Sequence, residues 1–307
     1  MTASHPPFLF IVGDTDPGRD LLRRLFDGHP EVAVAPNYPF IYKLAPRRAE
    51  FEATGGREAL ARAISRDERF TPWGLDAGAL AEVLGPEPID FSDAVRATYA
   101  HLARARHARL YADCSNWTLR QVMAHAVLFG ESRFVHVVED PRTLCVRRAR
   151  EGDSLAWVAD RWRSAVELAL DAEAALPSDR FVKIMLEELL EDPRGHAKTI
   201  AQTLGLGVDP SGFAEVSPEP ARPVQPLIDE VRTVELLTGP VMRKLGYTPR
   251  TNVHPLSYDQ RTRLIGELQA GRRTGPGEPL GERLKRGLLR WPAIGRLARR
   301  MARMRRR

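Results

Sequence analysis

Cysteine is scarce in this chain. Cys114 and Cys145 are the only two among 307 residues, a usage that fits a reduced, cytosolic protein and allows at most one disulfide. Long apolar runs are absent as well, none approaching the ~18–20 residues of a membrane span. The apolar N-terminal stretch is too short for a signal peptide and has no basic region ahead of it. No spacing of His, Cys and carboxylates suits a zinc site, and no internal repeat is present. Acidic residues vanish after position 282, where eleven Lys/Arg fall within 283–307. The net charge of the chain is +6, so residues 1–282 carry −5 and the basic character belongs to the tail.

The chain is organised around residues 8–26. Phe8 to Val12 read as a buried parallel strand. A loop bounded by Gly13 and Gly18 follows, then a helix with Leu21, Leu22, Leu25 and Phe26 on its apolar face. Strand, glycine loop and helix start form a cradle whose N–H groups and helix dipole favour an anion. The G-x-x-x-x-G spacing is that of a P-loop, but the Lys-Ser/Thr pair that should follow is Arg19-Asp20. Asp14, Asp16 and Asp20 crowd the same place. A carboxylate ~4 Å from a phosphate costs about 4 kcal/mol per charge pair at an effective dielectric of ~20, roughly three decades of affinity. Arg19, if it points inward, offsets one of them. Asp14 and Asp20 have the plainer alternative of facing solvent. Asp16-Pro17 reads as N-cap and first helical residue, so that the Asp16 carboxylate fills the protein's own anion site.

Further strands are expected after His29-Pro30, at Leu110–Ala112, at Arg133–Val138 and at Phe181–Leu186. Between residues 44 and 110 lie helical patterns at Arg57–Ile64, Ala77–Leu84 and Asp93–Arg106, the last with Ser92 as cap. Long helices are expected at Ser154–Leu176 and Pro226–Leu245, with Pro226 in its first turn, and a shorter one at His196–Leu204. Strands alternating with helices predict an α/β fold of three layers around a mostly parallel central sheet. The expected division is an α/β domain over 1–250 with a helical insertion at about 44–110, a linker region over 251–282 and a basic extension over 283–307.

Taken in order, these segments resemble a bacterial PAPS-dependent sulfotransferase of the P-loop-like α/β family over roughly residues 7–249. The parts are Phe10-Ile-Val-Gly13 with Leu21-Leu-Arg-Arg-Leu25, the His29-Pro-Glu-Val32 turn, Phe134-Val-His-Val-Val-Glu-Asp-Pro-Arg142, Leu186-Glu-Glu-Leu189 with Glu191-Asp-Pro193, Leu204-Gly-Leu206 and Leu245-Gly-Tyr247. The resemblance implies transfer of a sulfuryl group from 3′-phosphoadenosine 5′-phosphosulfate (PAPS) to a hydroxyl or amine. It also implies that Gly13, Gly18 and Arg19 hold the donor's 5′ side, and Arg142 and Arg147 its 3′ side.

The polar positions depart from the family's pattern. Where such loops read P-R-S-G-T-T-L-L, this one reads Thr15-Asp16-Pro17-Gly18-Arg19-Asp20-Leu21-Leu22. The family's R-D-P-R…S segment is Glu139-Asp140-Pro141-Arg142 with Arg147 in the serine's place. Its K-T-P stretch matches Cys114-Ser115-Asn116, and its Tyr before Glu-Asp-Leu is Leu186. The glutamate that serves many bacterial members as general base aligns with Asn37. That leaves His29 and Asn37 as weak catalytic candidates, with His29 alternatively a structural turn and His136 a buried strand residue. Arg148 and Arg150 extend the basic run after the fourth strand, either as ligands at a strand C-terminus or as a solvated helix face. Glu187 is a candidate for the adenine-ribose side, and Trp117, Trp157 and Trp162 read as core or pocket wall. These departures point to activity that is weak, altered or lost. The alternatives are a non-catalytic relative that binds an acceptor or partner protein, and a kinase-like enzyme with Asp20 on Mg²⁺.

In the tail, Leu284, Leu288 and Trp291 recur at helical spacing, Pro292 interrupts, and Ile294, Leu297, Met301 and Met304 resume. A basic face against an apolar stripe is the pattern of a helix lying in an anionic membrane surface. A docking helix or a solvated tail is the alternative, and nucleic acid, which needs no stripe, the weaker one. The expectation is a cytoplasmic protein, peripheral at the inner membrane face through Arg283–Arg307.

Overall fold

β1, Phe8–Val12, is buried at every residue, as its unbroken apolar run requires. It lies at the centre of a five-stranded sheet in the computed structural model, which describes residues 6–53, 55–115, 118–217, 224–252, 256–260 and 262–263. The remaining strands are β2 (Val32–Val34), β3 (Leu110–Asp113), β4 (Ser132–Val138) and β5 (Phe181–Met185). Their order is β2-β3-β1-β4-β5 and every pairing is parallel. The chain leaves β1 toward the β2 edge and later crosses over to β4, so the connections diverge beside β1. In open α/β sheets a ligand crevice lies at such a switch point, outside the strands' C-terminal ends.

Twelve α-helices cover the sheet among the described residues. They are α1 (Asp16–Asp27), α2 (Phe40–Leu44), α3 (Arg48–Phe51), α4 (Gly56–Ser65), α5 (Ala77–Leu84), α6 (Phe91–Ala105), α7 (Val122–Leu128), α8 (Pro141–Arg150), α9 (Leu155–Ala175), α10 (Leu186–Glu191), α11 (Pro193–Thr203) and α12 (Ile228–Lys244). The period of two along each strand separates two cores. Leu9, Ile11, Val135, Val137 and Ile184 pack against Leu21, Leu22 and Leu25 of α1 and Ala197 and Ile200 of α11. Phe8, Phe10 and Phe134 face the insertion between β2 and β3, with Leu60, Leu80 and Tyr99. A third cluster joins α8, α9 and α12 through Leu144, Trp162, Val166, Val234 and Leu237. The result is the expected three-layer α/β fold.

Four helix starts differ from the sequence expectation. Thr15, with extended backbone (φ −97°, ψ 118°), is the N-cap of α1, and Asp16 is the first helical residue. Asp16 sits one position too late to reach the first-turn amides, and its carboxylate turns instead to Arg19 one helical turn on, Nη2 to Oδ1 2.7 Å. Asp90 rather than Ser92 caps α6, its carboxylate accepting from the Asp93 N–H at 2.9 Å. Pro226 lies before α12, where Glu230 instead accepts from the Leu227 N–H at 2.9 Å. The helix expected over His196–Leu204 starts earlier, at Pro193, with Asp192 as cap accepting from the Gly195 N–H at 2.9 Å, and the short helix α10 at Leu186–Glu191 precedes it. Asn116, Trp117, residues 253–255, 261 and 264–282 of the expected linker region and the tail Arg283–Arg307 lie outside the described residues.

Candidate functional site

The loop after β1 and the segment after β4 meet at the switch point. Gly13 and Gly18 are needed there because the loop presses onto β4. A Cβ on Gly13 would lie 2.7 Å from the Val137 carbonyl oxygen, and one on Gly18 would lie 2.7 Å from Val137 Cγ2. Side chains cannot be that close, so the two glycines seat the loop on the sheet. Thr15 then reaches across, its hydroxyl donating to Glu139 Oε2 at 2.5 Å. Glu139 also accepts a two-pronged grip from Arg147, Nη1 and Nη2 each at 2.9 Å. Burial pushes the Glu139 carboxyl up, a trend that Arg147 and Thr15 oppose without overcoming.

A cavity of about 190 Å³ opens beside the loop. Its walls are Gly13, Asp14, Asp16 and Arg19 from the loop and α1, Leu144 and Arg148 from α8, and Trp157, Val158, Arg161 and Trp162 from α9. Trp157 and Arg161 lie four apart on α9 and so share a face, with the guanidinium 5.5 Å from the indole centroid. Asp14 points into the protein, its side chain only 9% exposed. Its Oδ1 has Arg161 Nη2 at 3.7 Å, beyond hydrogen-bond range, and its Oδ2 is buried with no hydrogen-bond partner among the described residues. Burial pushes the Asp14 carboxyl up, while Arg161, Arg120 and Arg19 pull the other way. Asp20, by contrast, is half-exposed and held by Arg23 and Arg24 at 2.8 and 3.2 Å, turned away from the loop. A second hollow, about 360 Å³, lies between Pro17 and the basic side chains of α8.

The arginines singled out in the sequence are engaged by the chain's own carboxylates. Arg19 is buried and bonds Asp16. Arg142 is 4% exposed; its Nε and Nη2 bond Asp140 at 2.7–3.0 Å, and its Nη1 bonds Glu235 at 3.1 Å and the Thr248 carbonyl at 2.8 Å. Burial would raise the Glu235 carboxyl, but the Arg250 and Thr251 amides, the Thr251 hydroxyl and Arg142 more than compensate and hold it low. Arg148 bonds Asp153 at 2.7 Å and reaches Asp16 at 3.4 Å, and Arg150 bonds Glu230 at 2.5 Å. Glu187 accepts from the Asp140 N–H at 3.0 Å and from the Tyr247 hydroxyl at 3.1 Å.

His29 and Asn37 are not brought to this cavity. His29 follows the C-terminal end of α1, a twelve-residue helix's length, ~18 Å, from the loop. Both of its ring nitrogens are engaged, Nε2 with the Asp209 carbonyl at 2.7 Å and Nδ1 with the Glu31 N–H at 3.1 Å. Asn37 is exposed beyond the end of β2. His136 is buried in β4, neither ring nitrogen bonded among the described residues, and burial first, then Lys183, lowers it to about 3, so it stays neutral. Trp157 and Trp162, read from the sequence as core or pocket wall, do line the cavity, whereas Arg161 and Arg120 were not among the candidates drawn from sequence; the four-residue spacing of Trp157 and Arg161 on α9 is a signal that could have found Arg161.

A family model described as "Sulfotransferase family" matches residues 7–210. Among solved structures, the chain is similar to the sulfotransferase domain from the Synechococcus PCC 7002 olefin synthase, at 21% identity and a TM-score of 0.48, covering 90% of this chain and 98% of that one. It is also similar to the sulfotransferase domain from the curacin biosynthetic pathway, at 15% identity and a TM-score of 0.48, covering 89% and 100%. A sulfotransferase from Alicyclobacillus acidocaldarius matches at 15% identity and a TM-score of 0.47, covering 80% and 98%. At such values these three carry no argument about chemistry.

Proposed function

Since the chain belongs to the sulfotransferase family, we propose that it is a member whose hold on the sulfuryl donor is strongly weakened, so that transfer from PAPS to a hydroxyl or amine is feeble or absent and the protein acts by binding. The observation that carries this reading is the commitment of Arg19, Arg142 and Arg147 to Asp16, to Asp140 and Glu235, and to Glu139. The residues present do not fit a donor that is anionic at both its 5′ and its 3′ end. On its 5′ side it would meet Asp14 and Asp16, and on its 3′ side it would have to break the buried Glu139–Arg147 pair or the Arg142 network. Breaking such a pair leaves a buried charge uncompensated, which costs about 3–5 kcal/mol, more than one new phosphate contact returns. Asn37, at the position from which the family supplies its base, is exposed and does not line the cavity. Isothermal titration with 3′-phosphoadenosine 5′-phosphate tests the reading. Binding well above micromolar Kd is expected, and a low-micromolar Kd would restore an ordinary donor site.

A second proposal concerns the extension. Eleven basic residues with an apolar stripe and Trp291 in Arg283–Arg307 favour peripheral attachment to an anionic membrane face, at about 1 kcal/mol per basic residue near the surface. Among the described residues no helix is long and apolar enough to cross a membrane. Sedimentation with anionic and neutral vesicles, for the full chain and for a truncation after Gly281, checks this. The full chain should pellet with anionic vesicles and the truncation should not; equal partitioning of the two removes the membrane role.

A further inference from the structure

His136 is the one side chain that buries two polar atoms without a hydrogen-bond partner among the described residues. It is 1% exposed. A neutral imidazole carries one N–H donor and one acceptor nitrogen, and here both go unmatched, where an apolar side chain of similar size would leave nothing unmatched. Its place in the sheet is specific. Val135 and Val137, on either side of it in β4, belong to the α1 layer, so His136 shares the opposite face with Phe134 and Val138. α9 runs along that face. Ala165, Ala169 and Ala172 cluster with Phe134 and Phe181, while Trp162 and Val166 cluster with Val138, which leaves His136 beneath the middle of the helix.

The surroundings give a second proton on the ring nothing to bond. In register beside His136 are Val12 of β1 and Lys183 of β5, and the Phe181 ring stands edge-on at 6.1 Å. Lys183 is the charged group that acts on the imidazole, and it repels an imidazolium; its own partner is Glu173 of α9, at 3.0 Å. Over this part of the face α9 presents alanines and Val166, which carry no charge. An imidazolium held there would have two N–H donors, no acceptor and a like charge beside it, in a place closed to water. His125, which faces Phe10 in the same layer at 4.9 Å, differs, because its Nδ1 lies 2.9 Å from the Gln121 carbonyl.

We propose that His136 makes the docking of α9 on the sheet acid-labile: the ring takes up a proton only when α9 is lifted, and once charged it keeps the helix from returning. Lifting α9 removes Trp157, Val158, Arg161 and Trp162, one wall of the loop cavity, so mild acid opens the candidate site. Donor binding plays no part in this, and the device stands or falls apart from the reading above. Burial, then Lys183, lowers the imidazole to about 3 in the closed form, against about 6.5 for an exposed one. Between those values the open form holds a proton that the closed form lacks. Closure is therefore at full strength above about pH 6.5 and weakens as pH falls toward about 3.

Hydrogen exchange of the full chain, read by peptide mass at about pH 7.5 and about pH 5 and corrected for the intrinsic effect of pH on exchange, tests this. The opening constant of α9 peptides should rise about thirtyfold in the wild-type chain, the size that one proton taken up at about 6.5 supplies. In His136→Leu, which keeps an apolar side chain of similar size under the helix, the rise should be no more than about fivefold. Peptides of α1, on the other face of the sheet, should change by less than about threefold in both chains. An equal rise for α9 in the two chains overturns the proposal, and so does a loss of protection in α1 as large as that in α9. A second measurement needs no variant. In the folded wild-type chain the His136 ring resonances, assigned through the backbone of β4, should not titrate between about pH 7.5 and about pH 5. Titration at about 6.5 with α9 still protected overturns the proposal even if His136→Leu fails to fold.

Discussion

Arg142 and Asp14 follow neighbouring strands, the first behind β4 and the second behind β1, and their surroundings are opposite. Around Arg142 the charges close on themselves. Asp140 takes the guanidinium from one side and also accepts the Arg142 N–H at 2.8 Å as cap of α8, Glu235 takes it from α12, and the Thr248 carbonyl completes the set. Glu235 in turn holds the Arg250 and Thr251 amides at 2.7 and 2.9 Å, so the network pins the strand-to-helix corner, α12 and the segment after it together. Around Asp14 the count does not close: its Oδ2 is buried with no hydrogen-bond partner among the described residues, while the residue itself lines the cavity. Arginine at the ligand edge of a sheet is thus no sign of binding until its partners are known. A buried acceptor with no partner is the opposite case, a group whose lost hydration nothing among the described residues offsets.

The difference can be pressed from both sides. Arg142→Ala should strip the compensation from Asp140 and Glu235 while leaving both buried, and destabilise the chain by about 3–5 kcal/mol in urea unfolding. A loss below about 1 kcal/mol would mean that the network is as loosely held as a surface pair. Asp16→Ala, at the loop, should cost well under 1 kcal/mol. Asp16 is 60% exposed along its side chain, does not cap α1, and pairs with Arg19 three residues on. A cost of 1–2 kcal/mol, the size of a lost cap, would return Asp16 to the cap position and blur the contrast between the two places.

Legibility in the sequence followed the range of the interaction. β1, β4 and β5 announced themselves as short apolar runs with strand-forming residues, and α5 matched its expected span residue for residue at Ala77–Leu84. Helix starts were less legible, because Asp16 and Ser92 each sit within two residues of the true cap. Local propensity ranks Asp, Ser and Thr nearly alike; what selects Thr15 is its extended backbone at the end of a loop pressed onto Val137. The glycines at 13 and 18 were read as a phosphate cradle, and the structure adds a packing reason for both. Of the site, Arg19 was placed at the cavity by its position after the loop and Trp157 by its reading as core or pocket wall, whereas Arg161, more than 140 residues from Arg19, was not.

What the sequence determined by itself is therefore the alternation of strand and helix, the parallel sheet, the loop at Gly13–Gly18 and the family, since each is written in patterns a few residues long repeated in a fixed order. What only the tertiary structure decided is which charges meet. Glu139 and Arg147 are eight residues apart, Arg142 and Glu235 ninety-three, Asp14 and Arg161 one hundred and forty-seven. No local pattern encodes such pairings. They arise when the switch point of the sheet brings the ends of β1 and β4 under α8 and α9, and burial then makes each matched or unmatched charge count.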